Sequence, residues 1–413
     1  MQANVKFEHQ FLAVEQEHTV SGMLELVAPD VAGGDRLPLH IALVIDRSGS
    51  MAGPKLDAAK DAARFLANRL RGDDRLAIVA FDDTVELVLA LGTVDTTQVD
   101  SAIDGIYPGG STNLSGGWLK GIEEIGRGAG VEAIRRVVLL TDGQANVGII
   151  DHGELTSLAA GSKAQVATTT IGFGEGFDED LLQAIADASA GSSYYCAGAD
   201  DAPGVFAQEF DDLATIVGQN LSVEIVVTDD VKFVAVLNDY PMVEVPGGVQ
   251  VQVGDIYGGE RRLIVFQLLT PGVAELGVKR IAELVVRYVE TGEKIAQHQI
   301  SVPVTVNLVS ADEAAASEAD HEVVEQVVIL EAARARKEAR DLADQGDYGT
   351  ASAMLAQHHA RLLDIGSPSA LIEAAELGLH VENMSPDAYS PAVRKRMTSE
   401  TYRTMRSRRD REK

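Results

Sequence analysis

Cysteine is almost absent. The single thiol in 413 residues, Cys196, cannot form an internal disulfide, so nothing points to an oxidising compartment. It reads as a small residue packed after a strand. Positive charge is also scarce, and the formal net charge is −28. That balance excludes a body that binds nucleic acid by neutralising phosphates, and it favours basic partners and metal cations. Long apolar runs are missing as well. None approaches about 20 residues, so no membrane span is expected. The start, Met1 to Glu8, lacks the basic stretch and apolar core of a signal peptide, which makes the cytoplasm the expected location. What remains is ordinary. Hydrophobic residues make up 46% of the chain, enough for packed cores, and the length suits two to three domains.

The chain changes style along its length. In residues 1–36 the apolar residues roughly alternate over Val5–Val14 and Val20–Val27, which predicts two half-buried strands. Pro29-Asp30 and Gly33-Gly34-Asp35 end them. From 37 to 217, continuous apolar runs alternate with helical patterns. The strand candidates are Leu39–Ile45, Leu76–Phe81, Val85–Leu91, Arg136–Leu140, Val166–Ile171 and Ser193–Cys196. Buried strands alternating with helices predict a mainly parallel α/β sheet covered on both faces. Over Lys55–Leu70, Leu56, Ala59, Ala63, Leu66 and Leu70 share one helical face, with Gly72 as the stop.

From 218 to 310 the pattern returns to strands: Leu221–Val227, Val231–Leu237, Val249–Val253, Leu263–Leu269, Ile281–Val289 and Ile300–Val309. Turn signals separate them, including Pro246-Gly247-Gly248 and Thr291-Gly292-Glu293, and six strands without helices predict a β-sandwich. Two N-terminal strands alone are marginal in water. They are therefore expected to complete this sandwich, making the α/β domain an insertion within it. Residues 311–390 read as helical, with Ala311–Gln345 rich in good helix formers and a second helix beginning at Ala351–Leu362. The stretch Ala339–Ala351 resembles half of a tetratricopeptide-type hairpin, but one copy is no array, so a helical hairpin packed on the body is expected. The last stretch, 391–413, carries nine Lys/Arg and three Asp/Glu. It is expected to be a solvated, partly disordered tail; the sharper alternative folds it back on the acidic body or docks it on an acidic partner.

The chemistry concentrates in one loop. The buried strand Ile41–Ile45 runs into Asp46-Arg47-Ser48-Gly49-Ser50-Met51, and ligands of α/β sheets sit at such carboxyl ends. Oxygens at alternate positions of a tight loop can converge on a point, and Gly49 lets the backbone turn between them. Carboxylate and hydroxyl oxygens suit a hard cation, with Mg²⁺ preferring octahedral oxygen coordination. Arg47 reads as an exposed side chain or as a second contact to an incoming carboxylate. Met51 reads as a packing residue beneath the loop.

Asp-x-Ser-x-Ser after a first buried strand resembles the metal-ion-dependent adhesion site of the von Willebrand factor type A family. That family adds a Thr and an Asp from two later loops. Gly109-Gly110-Ser111-Thr112-Asn113 supplies Thr112, and the strand Val137–Leu140 ends in Thr141-Asp142-Gly143. The resemblance covers about 180 residues and implies a Rossmann-like doubly wound sheet. It also implies a metal site at Asp46, Ser48, Ser50, Thr112 and Asp142, holding Mg²⁺ with Ca²⁺ or Mn²⁺ as substitutes. One coordination position would be left for an Asp or Glu carboxylate of a partner protein. The outline resembles bacterial proteins related to Ca-activated chloride channel homologues, with Val253–Val265 similar to their sandwich, but without a membrane span. Such domains often accompany AAA-type ATPases. The family also suggests that the domain's last helix, 203–216, relays movement into the sandwich.

The expected function is metal-dependent protein binding by an adaptor or assembly subunit. The alternatives are a metal-assisted hydrolase and a structural protein whose metal stiffens the loops. No catalytic motif supports an enzyme. Gly172-Phe173-Gly174-Glu175-Gly176 misplaces the third glycine of a dinucleotide loop and reads as a strand-to-helix turn near the metal face. His321-Glu322-Val323-Val324-Glu325 lacks the second His of a zinc protease, and no G-x-S-x-G frames a nucleophile.

Overall fold

The computed structural model describes residues 1–406, except 31–35, 129, 131, 164 and 292–294. The turn signals at Gly33-Gly34-Asp35 and Gly292-Glu293, and the end of the basic stretch from Ser407, lie outside the described residues.

The N-terminal segment forms three strands rather than two: β1 (Gln2–Phe7), β2 (Phe11–Ala13) and β3 (His18–Val27). Alternation over Val5–Val14 suggested one strand, but the chain breaks near Glu8–Gln10 and the two pieces join different sheets. β1 pairs with β3, whereas β2 runs parallel to a strand close to residue 308.

The α/β layer follows. Its strands are β4 (Leu39–Asp46), β5 (Arg75–Phe81), β6 (Val85–Thr93), β7 (Ile134–Thr141), β8 (Ala167–Phe173) and β9 (Ser193–Cys196). Its helices are α1 (Pro54–Arg69), α2 (Thr96–Asp104), α3 (Leu114–Gly126), α4 (His152–Ser162), α5 (Glu179–Ala188) and α6 (Ala202–Ala214). The sheet order is β6-β5-β4-β7-β8-β9, with only β6 antiparallel to its neighbour. All of β4 is buried because helices cover both faces, whereas edge strand β6 is half exposed. The face lined by Ile41, Leu43 and Ile45 packs with Leu56, Ala63 and Phe206; the opposite face, from Ala42 and Val44, packs with Trp118 and Leu182. The chain moves outward from β4 to β6 and then returns to place β7 on the other side of β4. The gap between β4 and β7 is therefore a switch point, where α/β sheets place ligands.

Asp74 anchors the entry to this sheet. It is fully buried and accepts hydrogen bonds from Arg36 Nη1 at 2.7 Å, Leu39 N at 2.7 Å and Arg71 N at 2.6 Å. Burial alone would raise its pKa, but the Arg36 guanidinium and the two backbone N–H groups outweigh it and hold the carboxyl below its ordinary value. A folded pKa below the unfolded one stabilises the fold above the ordinary carboxylate range, and that contribution is lost as pH falls through the folded value. Asp74→Asn is expected to cost about 2 kcal/mol at pH 7. Denaturant titrations down the pH scale should show this difference shrinking below about pH 4. A gap that stays constant with pH would remove the charge from the explanation.

The later strands are β10 (Ile216–Val227), β11 (Lys232–Val236), β12 (Met242–Val245), β13 (Gly248–Tyr257), β14 (Arg261–Thr270), β15 (Gly277–Thr291) and β16 (Ile295–Val309). β12 is an exposed edge strand absent from the sequence expectation; four residues between turn signals carry too little alternation to be read. β10 starts at Ile216, two residues before the expected boundary at 218, directly after α6. Two sheets result, β1-β3-β14-β11 and β12-β13-β10-β15-β16-β2. Their facing apolar residues, Leu24, Ile264 and Phe266 from one and Val223, Leu284 and Val304 from the other, form one core.

The helical region holds α7 (Ala311–Ala315), α8 (His321–Asp344), α9 (Tyr348–Ile365), α10 (Pro368–Glu382) and α11 (Pro391–Met405). The single helix expected over Ala311–Gln345 is split, because Asp320 caps a new helix by accepting from Glu322 N and Val323 N. The solvated tail expected from 391 is corrected: through Met405 it is a helix whose Met397 is buried among residues of α8, α9 and α10. Its positive charges face acidic partners. Lys395 Nζ donates to the Phe177 carbonyl at 2.6 Å and to Glu179, and Arg394 Nε donates to Asp344 at 2.8 Å. Desolvation is the main cause that lowers the Lys395 pKa, to about 8.

Candidate metal site at the sheet switch point

Three loops meet at the carboxyl edge of β4 and β7. Backbone hydrogen bonds join the first two, from Gly109 N to the Arg47 carbonyl at 2.7 Å and from Gly49 N to the Gly110 carbonyl at 3.1 Å. The second and third are joined through Asn146, whose Oδ1 accepts from Thr112 N at 2.8 Å and whose N donates back to the Thr112 carbonyl at 3.2 Å. Two glycines permit the close approach. A Cβ on Gly109 would lie 1.9 Å from Asp82 Oδ2, and one on Gly143 would lie 3.1 Å from Thr112 Oγ1.

The residues expected to cluster do so. Asp46 ends β4 and is fully buried; Ser48, Thr112 and Asp142 are also buried, while Ser50 is exposed. Ser50 Oγ donates to Asp142 Oδ1 at 2.7 Å and lies 3.2 Å from Ser48 Oγ. Asp46 Oδ1 accepts from Ser48 N at 2.8 Å, and Oδ2 accepts from Thr141 Oγ1 at 2.5 Å. The Gly143 Cβ direction points between Thr112 Oγ1 and Asp46 Oδ2, so those oxygens flank the same residue. Burial raises the Asp46 pKa; the hydrogen bonds from Thr141 and Ser48 lower it, and the neighbouring Asp142 charge raises it again. Two buried carboxylates and three hydroxyls are an all-oxygen donor set with excess negative charge, which fits a hard divalent cation. The Lys55 ammonium is already hydrogen-bonded to Asp142 Oδ2, so the cluster accommodates positive charge.

Lys55 is the contact that sequence reasoning missed, having been assigned only to the start of a helix. Its signal is position: Pro54 opens α1 five residues after Gly49, so the first turn of the helix lies against the loop. Thr141 and Asn146 were missed for a similar reason, being neighbours of expected ligands. Arg47 turns away from the cluster. Its guanidinium donates to Asp82 at 3.2 Å and to Glu86 at 2.6 Å, tying the first loop to β5 and β6. Met51 is fully buried beneath the loop. The glycine-rich turn after β8 passes the same cluster. A Cβ on Gly176 would lie 2.8 Å from the Asp142 carbonyl, and the next residue, Phe177, carries Lys395 Nζ 3.9 Å over its ring. Loop 174–177 therefore touches both the oxygen cluster and α11.

The family model of the von Willebrand factor type A domain matches residues 40–208. The uncharacterized protein sll0103 of Synechocystis sp. is 31% identical over 261 residues, which cover 60% of this chain and 61% of that protein. The uncharacterized protein YfbK of Escherichia coli is 26% identical over 206 residues, 49% of this chain and 36% of the relative. The chain thus spans less than two thirds of either curated relative. A solved von Willebrand factor type A structure from Catenulispora acidiphila covers 97% of this chain and 96% of its own, with a TM-score of 0.74 at 18% identity. That likeness concerns the fold alone, but it extends over the flanking strands and the C-terminal helices. Domains of this family are often metal-dependent protein-interaction modules, and residues 40–208 of this chain match the von Willebrand factor type A domain.

Proposed function

We propose that the chain is a metal-ion-dependent protein-binding module, an adaptor or assembly subunit rather than an enzyme. In this reading Asp46, Ser48, Ser50, Thr112 and Asp142 hold Mg²⁺. The observation that carries it is the convergence of these oxygens at the β4/β7 switch point, beside the Lys55 ammonium. The bound ion would supply electrostatic attraction for a partner's Asp or Glu carboxylate. The residues of the chain contribute position. Thr141 and Ser48 orient Asp46, Ser50 and Lys55 orient Asp142, and Asn146 fixes the loop that carries Thr112. Arg47 stays with Asp82 and Glu86, leaving the mouth of the cluster clear of its charge.

The test is capture of partners from the source cell by immobilised protein, with Mg²⁺ and with chelator. Asp46→Asn should lose the partners that wild type retains only with the metal. Equal capture by variant and wild type, with or without chelator, would sink the binding reading. Among the described residues no helix is long and apolar enough to cross a membrane. Family resemblance makes an AAA-type ATPase the first partner to seek, and the cytoplasm is the compartment proposed.

We further propose that the α/β domain is an insertion within the two flanking β sheets. Support comes from the register of β3, which pairs along its whole length with β14, more than 230 residues away. Joining residues 1–36 to 218–413 through a short flexible linker should give a soluble protein with a cooperative melt and β-rich circular dichroism. Aggregation of that fusion, together with full folding of 218–413 alone, would overturn the insertion.

A further inference from the structure

Away from the metal loops, a cavity of about 230 Å³ lies between α5, α8 and α11. One water needs only about 10–15 Å³ on the same measure. Arg336 of α8 lines it and is fully buried. Its Nη2 donates to Glu373 and lies 3.9 Å from Glu376, but Nε and Nη1 have no hydrogen-bond partner among the described residues. Thr401 of α11 also lines the cavity, is buried, and its hydroxyl has no hydrogen-bond partner among the described residues.

The carboxylates of the wall are already served. Asp239 lies 2.8 Å from Lys337 Nζ, and Asp180 lies 3.2 Å from Arg340 Nη1. Asp187 lies 2.6 Å from Arg406 Nη2 and accepts from the Tyr402 hydroxyl at 3.0 Å. The acceptors of this wall thus have cations of their own, while Arg336 Nε and Nη1 and the Thr401 hydroxyl have no acceptor among the described residues. A buried donor without a partner carries a desolvation cost, larger for a charged group. Guanidinium presents paired N–H groups that match the oxygens of a carboxylate or phosphate.

We propose that this cavity binds a small oxyanion, a phosphate or a carboxylate, through Arg336 and Thr401. The site would join the metal-bearing domain to the C-terminal helices, because its walls come from both. It stands independently of the metal reading.

The experiment is thermal unfolding and calorimetric titration of the full chain in EDTA, so that no divalent ion contributes. Inorganic phosphate and acetate are titrated in separate arms, with chloride at matched ionic strength as the control. A saturable rise in melting temperature with phosphate or with acetate supports the proposal and tells the two sources apart. Thr401→Val should weaken that binding by about tenfold while leaving the fold intact. Arg336→Met should abolish it; because this change also breaks the pair with Glu373, the Thr401 variant carries the test if it fails to fold. A rise equal to that from chloride, no rise in either arm, or an unchanged affinity in Thr401→Val would overturn the site.

Discussion

Asp255→Ala is expected to lower the unfolding free energy by about 3–5 kcal/mol. Arg136 on β7 of the α/β sheet reaches Asp255 on β13 of the neighbouring β sheet, Nη2 to Oδ2 at 2.5 Å. Both side chains are buried, with 1% and 4% of their surface exposed, so water cannot replace the lost partner. Removing the acid leaves a guanidinium whose Nε already lacks a partner among the described residues. Buried Glu209 on α6 is near enough to interact with Arg136, but its Oε1 accepts from Thr169 Oγ1 at 2.6 Å. It compensates in part, which places the expected loss toward the lower end of the range. The pair is not the best use of the space for stability alone. Arg136→Met combined with Asp255→Leu should recover most of the loss, since breaking a buried pair costs more than replacing both members. Urea titration of the four proteins gives the coupling directly. A single-variant loss under about 0.5 kcal/mol would show that this pair does not hold the two layers together.

The second large effect concerns the metal. Saturating Mg²⁺, at about 100 times its dissociation constant, should stabilise wild type by about 2.7 kcal/mol. Asp46→Asn should lose nearly all of that gain. In chelator the order reverses. Burial, with the nearby Asp142 charge, raises the Asp46 pKa, so the carboxylate is a liability there when no metal ion is present. The amide keeps the shape and an acceptor for Ser48 N, so in EDTA the variant should match or exceed wild type. Thermal melts of both proteins, with and without Mg²⁺, separate these contributions. Equal Mg²⁺ gains in the two proteins would remove Asp46 from the site. A variant less stable than wild type in EDTA would mean that the carboxylate serves the fold rather than the ion.

Much of this could be read from the chain, and the reason is local. Strands β4, β7 and β8 announce themselves because a strand buried on both faces must be apolar at nearly every position. Asp46, Ser48 and Ser50 are legible because they follow such a strand within five residues. Thr112 and Asp142 became legible only through family resemblance, since spacing says nothing about loops 66 and 96 residues away. The strand break near Glu8–Gln10 was not legible: alternation continues through it, and only the competing pull of β3 and β16 divides the segment.

The sequence by itself determined which segments are strand or helix and which short loop carries oxygen donors, because periodicity and turn residues act within a few positions. Tertiary structure decided the rest. It set Lys55 against Asp142, turned Arg47 back to Asp82, and docked the basic residues of α11 on Glu179. It also drew Arg136 and Asp255 together across 119 residues of chain. Charges on exposed faces look alike in a sequence; which ones meet depends on how the sheets and helices pack.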